Sequence, residues 1–111
     1  MGGGVNPEPE LPETIDIYYT RSDVSGFSTT YNIILDEPLQ QGYYPYASYY
    51  KYEISGSEYI NKFVQWDYTE EETTHYSKNS SHSVNDGVDV FTIIKGPNDY
   101  SIDIPGKAIQ N

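Results

Sequence analysis

The strongest constraint on the fold is an alternation of apolar and polar side chains that recurs along the chain. It is clearest in residues 27–35, where every second position is aromatic, β-branched or aliphatic, namely Phe27, Thr29, Tyr31, Ile33 and Leu35. Successive side chains of a β-strand point to opposite faces of a sheet, so this period predicts a strand with one buried face. The same period predicts further strands at residues 15–20, 43–55, 88–95 and 100–104.

Turn-forming residues separate these segments. Turns are predicted at residues 22–26, 36–38, 55–57 and 95–99, and Pro105-Gly106 is predicted to end the last strand. About six to seven short strands with turns between them are typical of an all-β fold. We therefore predict an antiparallel β-sandwich, immunoglobulin-like or a similar Greek key.

Residues 57–69 fit two patterns. Strand spacing places Ile60, Val64 and Trp66 on one face, whereas helical spacing groups Ile60, Phe63 and Val64 behind Ser57 as an N-cap. The aromatic and β-branched content favours the strand. An α+β fold with residues 57–69 helical is the alternative. The acidic run 70–72 is predicted to open a long polar loop that reaches Gly87.

The ends of the chain differ in composition from the strand-rich middle. Residues 1–13, MGGGVNPEPELPE, are dominated by glycine, proline and glutamate, which predicts a disordered tether. Residues 14–105 are then a single β-domain, and residues 106–111 are expected to be frayed.

The tether resembles the spacer that follows the lipid-bearing cysteine of bacterial lipoproteins. The resemblance covers these thirteen residues, which do not include that cysteine, and no family is identified for residues 14–111. It implies an extracytoplasmic protein, in the periplasm or on the surface of a bacterium. A cytoplasmic protein with a disordered N-terminus is the alternative.

The charge of the chain limits its partners. The net charge is −11, and the six basic residues are scattered rather than clustered. Binding to nucleic acid or to an anionic membrane surface requires concentrated positive charge, so neither partner is expected. No apolar run approaches the roughly 20 residues of a membrane span, so the domain itself is not expected to insert into a membrane. A protein or a neutral glycan suits this charge better.

The sequence contains no arrangement of residues that predicts catalysis, a metal site or a cofactor. Cysteine is absent, and the two histidines, His75 and His82, lie seven residues apart in the predicted polar loop near Asp86. A zinc site needs converging ligands with supporting contacts, which this spacing does not fix. Asn85-Asp86-Gly87 is a favoured turn sequence and lacks the spacing of a calcium loop. We therefore predict no enzyme activity, no metal and no cofactor.

The segment GYYPYASYYKY, residues 42–52, concentrates six of the thirteen tyrosines. Strict alternation assigns Tyr44, Tyr46, Tyr50 and Tyr52 to a buried row and leaves Tyr43, Tyr49 and Lys51 on the opposite face. Exposed tyrosines are enriched at protein interfaces, and their planar rings stack on sugars. The candidate binding residues are therefore Tyr43, Tyr49 and Lys51.

These observations favour a non-catalytic extracytoplasmic domain that binds a protein or a glycan. Two alternatives remain open. An acidic inhibitor or immunity-type protein would complement a basic enzyme or toxin, and a structural component of a phage or surface assembly would need no ligand site. The sequence does not indicate an oligomeric state.

Overall fold

A computed structural model describes residues 9–22 and 28–111, which form a seven-stranded β-sheet. In chain order the strands are β1 (Ile17–Ser22), β2 (Ser28–Ile34), β3 (Tyr44–Ile54), β4 (Ser57–Gln65), β5 (His75–Ser80), β6 (Asp89–Lys95) and β7 (Ser101–Gln110). No helix long and apolar enough to span a membrane is found in this part of the chain.

The strands lie in the order β4-β3-β6-β7-β1-β2-β5. All neighbours are antiparallel except β1 and β7, which pair in parallel from Ile17↔Ala108 to Tyr19↔Gln110. The sheet is therefore mixed, and it curls into a half-barrel. The all-β class is confirmed, but the predicted antiparallel sandwich is not, because the sheet covers its core by curling rather than by packing on a second sheet.

The two edges of the sheet meet through side chains at the open side of the half-barrel. Ser80 Oγ of β5 donates a hydrogen bond of 2.7 Å to the carbonyl oxygen of Phe63 in β4. Beyond β4, Asp67 forms a salt bridge of 2.7 Å with Lys78 of β5. No backbone ladder joins β4 to β5 among the described residues. The two edges of the half-barrel are therefore joined by these side-chain contacts, which we call the seam.

The concave face carries the hydrophobic core, and aromatic rings span it. Tyr31 of β2 packs edge-on against Phe63 of β4 with ring centroids 4.9 Å apart, and Tyr19 lies 6.2 Å from Tyr31. The buried cluster is Ile15, Ile17, Tyr19, Tyr31, Ile33, Leu39, Phe63, Val64, Trp66, Tyr76, Val84, Val90, Ile94, Ile104 and Ala108. The faces that alternation predicts to be buried in β1 and β2 are therefore confirmed.

A buried polar network fixes the middle of β3. Trp66 Nε1 donates to Ser48 Oγ at 2.9 Å, and Ser48 Oγ lies 2.7 Å from Thr92 Oγ1 of β6. All three residues are buried, so each polar atom would cost free energy without its partner. This network ties β3, β6 and the segment after β4 together in one register.

Residues 57–65 form strand β4, which confirms the strand that was favoured there over the helical alternative for residues 57–69. A second prediction about local structure is wrong. The predicted polar loop contains β5, whose sequence HYSKNS is too polar to show a buried face. β5 is an edge strand in which only Tyr76 is buried, and such a strand needs little apolar character.

The last strand does not end at Pro105-Gly106. β7 continues to Gln110, so residues 106–110, expected to be frayed, pair with neighbouring strands. The position of Pro105 requires no N–H donor to a neighbouring strand. Its carbonyl oxygen accepts a hydrogen bond of 2.9 Å from Ile15 N. A Cβ at position 106 would overlap the carbonyl oxygen of Ile15, so glycine permits this close approach of the chain before β1.

Two further predictions touch residues outside the described ranges. Residues 1–8 of the predicted tether lie outside them, whereas Leu11 is partly buried against the core. Most of the turn predicted at residues 22–26 also lies outside the described residues, as does Phe27.

The buried hydroxyl of Tyr31 predicts a loss of stability in alkali. It donates to the carbonyl oxygen of His82 at 2.8 Å, and burial raises its pKa to about 12. The unfolded chain loses this proton near pH 10, so the free energy of unfolding should fall between pH 10 and 12, by up to about 1.4 kcal/mol per pH unit, and be unaffected below that window.

Urea unfolding of the wild type and of Tyr31→Phe at pH 7, 10 and 11.5 checks this prediction. At pH 7 the free energy of unfolding of the variant should be about 1 kcal/mol below that of the wild type, because the His82 carbonyl group loses its donor. Above pH 10 the free energy of unfolding should fall less steeply with pH in the variant than in the wild type. Equal slopes above pH 10 would show that Tyr31 does not titrate as described.

Candidate binding surface

The hairpin of β3 and β4 extends beyond the rest of the sheet. β3 pairs with β6 only as far as Tyr50↔Val90, whereas its pairing with β4 continues to Ile54↔Ser57. Residues 51–60 therefore form a two-stranded projection, which we call the arm. Four residues per strand at about 3.4 Å each give it a length of about 14 Å.

The turn at the end of the arm is well matched to its sequence. Ser55 and Gly56 both have positive φ angles, 53° and 83°, which is the conformation of a two-residue type I′ turn. This turn has the same handed twist as the strands that it joins, so it sets the register of β3 and β4 locally. The arm is therefore a defined hairpin with a regular ladder from Tyr49↔Lys62 to its tip.

The concave face of the arm carries a row of tyrosines. Tyr52 lies 5.7 Å from Tyr50 and stacks on Tyr59 at 5.5 Å, measured between ring centroids. Tyr50 in turn packs on Phe63 at 5.9 Å and accepts a hydrogen bond from Asn61 Nδ2. We call Tyr50, Tyr52 and Tyr59 the tyrosine ladder, and it continues the aromatic row of the core out into solvent.

The outer part of the ladder is open. Tyr52 and Tyr59 are 38% and 46% exposed, and Ile54 beside them is 57% exposed. No charged side chain lies among these positions, because alternation places Lys51, Glu53 and Glu58 on the convex face. The concave face of the arm is therefore an uncharged aromatic surface with free hydroxyl groups, a composition typical of interface centres.

The three residues predicted to bind a ligand do not form one site. Tyr43 is partly buried against the core and packs edge-on against Tyr100 with centroids 5.3 Å apart. Its ring also covers Gly96, where a Cβ would overlap it. Tyr43 therefore has a packing role, and its prediction as an outward-pointing residue is wrong.

Tyr49 and Lys51 both lie on the convex face, as predicted. Tyr49 stacks on Phe91 of β6 with centroids 5.3 Å apart and planes 9° apart. Lys51 is exposed and lies 4.0 Å from Glu58 across the arm. These contacts leave Lys51 available to a partner, whereas one face of the Tyr49 ring is covered.

The predicted buried row is also divided. Pro45, Ala47 and Ser48 are the buried residues in the first half of β3, and Tyr46 instead packs under Lys95 Nζ, 3.6 Å from its ring centroid. A register shift lies between Pro45 and Ala47, as expected of a bulge, and the alternation breaks where the adjacent residues Ala47 and Ser48 are both buried. A second shift follows Ser48. Strict alternation across these shifts therefore misassigned Tyr44 and Tyr46.

A second surface combines tyrosine with acidic side chains. Tyr44 packs edge-on against Tyr68, with centroids 4.8 Å apart, at the border of a cleft of about 290 Å³. Residues 70–72, all glutamate, line the same cleft, and Tyr68 is largely exposed. Aromatic rings and carboxylates together attract cations, so this acidic cleft suits a basic group.

His75 and two nearby acids contact their own chain. His75 Nε2 lies 3.0 Å from Asn32 Oδ1, and Asp86 Oδ1 accepts from Gln110 N at 2.7 Å. Asp89 pairs with Lys107. Within residues 9–22 and 28–111, no group of three or more potential metal ligands converges.

Comparison of the chain with protein-family models, with curated proteins and with solved structures found no match. The functional interpretation therefore depends on the surfaces themselves.

The largest departure from the sequence-based site is that Tyr52 and Tyr59, which were not candidates, form the exposed part of the ladder. The signal that could have found them is the short turn Ser55-Gly56, which makes the flanking residues a hairpin pair.

The different environments of Tyr43 and Tyr49 predict different costs of truncation. Tyr43→Ala should lower the free energy of unfolding by about 2–4 kcal/mol because it removes a ring packed on the core. Tyr49→Ala loses one stacked contact at the surface, which is worth about 0.5–1.5 kcal/mol. Chemical denaturation of both variants checks this order, and a larger loss for Tyr49→Ala would contradict the placement of the two rings.

Proposed function

We propose that this protein is a non-catalytic binding domain that contacts a protein or a glycan through the concave face of the arm. The observation that carries the proposal is the tyrosine ladder, whose outer rings lie on the arm, outside the buried core. Exposed, ordered aromatic residues offer contact area at a low cost in side-chain entropy, because tyrosine has few rotatable bonds.

The chemistry of the ladder supports both ligand classes. Its rings supply apolar faces and edges, while the hydroxyl groups supply donors and acceptors at the rim. Tyr50 and Phe63 hold the base of the ladder against the core, so a ligand meets a preorganised surface. Preorganisation lowers the cost of ordering side chains on binding.

We also place this function outside the cytoplasm. Support comes from the likeness of residues 1–13 to a lipoprotein spacer, which would hold the domain at a membrane surface by a tether. Determining the native N-terminus by mass spectrometry separates the two locations. A lipid-modified cysteine directly before Gly2 supports the proposal, and an unmodified protein translated from Met1 contradicts it.

An acidic inhibitor or immunity-type protein is the second candidate function. The observation in its favour is the acidic cleft, where residues 70–72 lie beside Tyr44 and Tyr68. A net charge of −11 would speed association with a basic enzyme through long-range attraction. In this case the acidic cleft, not the arm, is the contact surface.

Paired tyrosine variants test which surface binds. Wild-type protein is applied to a printed panel of neutral glycans and to suspensions of insoluble polysaccharides, and is used as bait in extracts of its source cells. The double variant Tyr52→Ser/Tyr59→Ser should weaken capture of the bound ligand by at least about 10-fold, because central interface tyrosines contribute most of the binding free energy. Retained capture would contradict the proposal.

Tyr68→Ser is the matched control, since it removes an exposed tyrosine outside the arm. It should leave capture unchanged if the arm is the contact surface. Loss with Tyr68→Ser, and not with the arm variant, would instead support the acidic cleft. Circular dichroism of all variants checks that each remains folded.

A further inference from the structure

The outer edge of the arm is unpaired. β4 is an edge strand of the sheet, and its hydrogen bond with β5 is made at Phe63. From Ser57 to Lys62 the far side of β4 therefore has no neighbouring strand among the described residues. An exposed edge of this kind is a template for pairing with another strand.

The turn fixes which backbone groups face this edge. In a two-residue hairpin the residues that flank the turn, here Ile54 and Ser57, exchange backbone hydrogen bonds, and the pairs alternate from there. Tyr59 and Asn61 then bond to β3, while Glu58, Ile60 and Lys62 direct their N–H and C=O groups away from it. No other described backbone group bonds to these three residues.

The side chains of the same three residues are self-complementary. Glu58 lies two residues before Ile60 and Lys62 two residues after it. Ile60 itself is 55% exposed. In an antiparallel pair of two β4 strands centred on Ile60, each Glu58 lies opposite Lys62 of the other copy, and the two Ile60 side chains are adjacent. Lys62 has no carboxylate partner within the described residues, so its charge is available.

We propose that β4 pairs with β4 of a second copy of this chain, in antiparallel register about Ile60, to form a symmetric dimer. Each of the three outward-facing residues exchanges two backbone hydrogen bonds with its opposite, giving six across the interface. The pairing is isologous, as two-fold symmetry requires. It extends the sheet of each protomer, and it brings the concave faces of the two arms side by side.

The charges select this register over its neighbours. Centring the pair on Glu58 or on Lys62 places like charges directly opposite each other, which is destabilising. Registers centred on Tyr59 or Asn61 bring Ile60 opposite a charged residue. Only the register centred on Ile60 forms two opposite-charge pairs and one apolar pair on the convex face.

Charge reversal tests the dimer. Sedimentation equilibrium is measured for the wild type, Lys62→Glu, Glu58→Lys and the double variant Glu58→Lys/Lys62→Glu. Each single change replaces both ion pairs by repulsion and should weaken dimerisation by about 10-fold. The double variant restores opposite charges at both positions, so its dissociation constant should return to within about 3-fold of the wild type.

The single variants also separate pairing from the effect of net charge. The net charge of −11 becomes −13 in Lys62→Glu and −9 in Glu58→Lys. General repulsion between acidic molecules would weaken the first and strengthen the second, whereas register-specific pairing weakens both. Glu53→Lys is the control, because it makes the same charge change as Glu58→Lys on β3, one strand away from the interface.

Three results would overturn the proposal. They are a wild type that remains monomeric at the highest soluble concentration, a double variant as weak as the single variants, and a control that weakens the dimer as much as Glu58→Lys. Circular dichroism spectra of the single variants should match the wild type, since both residues are exposed and contribute little to folding. The test does not involve a ligand, so its outcome is independent of the proposed function.

Discussion

The contact between Tyr31 and Phe63 is the interaction on which the curled sheet depends. It joins β2 to β4 across the concave face, so two strands near opposite ends of the sheet share one core. Without it the sheet would expose apolar surface that no second layer covers. The seam formed by Ser80, Phe63, Lys78 and Asp67 then closes the open side with polar contacts. A single sheet thereby buries a core for which two sheets were expected.

The same aromatic row leads out of the core and onto the arm. The row begins in the core with Tyr31 and Phe63 and reaches the border of the core at Tyr50. It continues into solvent with Tyr52 and Tyr59. The exposed rings therefore pack on rings that belong to the core. An exposed aromatic surface that is already ordered is suited to binding, because little conformational entropy remains to be lost. The edge beside it suits a second copy of the chain, because charge and apolar contact agree in one register.

Much of the fold was predictable because alternation is a local property. The buried faces of β1 and β2 follow directly from the period of two. The candidate site was less predictable. A change of alternation within β3 places Tyr43 on the face opposite to the one predicted. Tyr52 lies on the predicted face but is exposed, because the arm extends beyond the core. The sequence pattern did not predict β5, because an edge strand needs few apolar side chains.

The sequence by itself determined the all-β class and the local register of the β3–β4 hairpin. These follow from the period of the side chains and from a two-residue turn, neither of which requires knowledge of distant contacts. Only the tertiary structure decided that one mixed sheet curls on itself, that β7 continues past Pro105-Gly106 to pair with β1, and that the tyrosine ladder projects into solvent. Each of these depends on contacts between residues far apart in the chain, which no local pattern encodes.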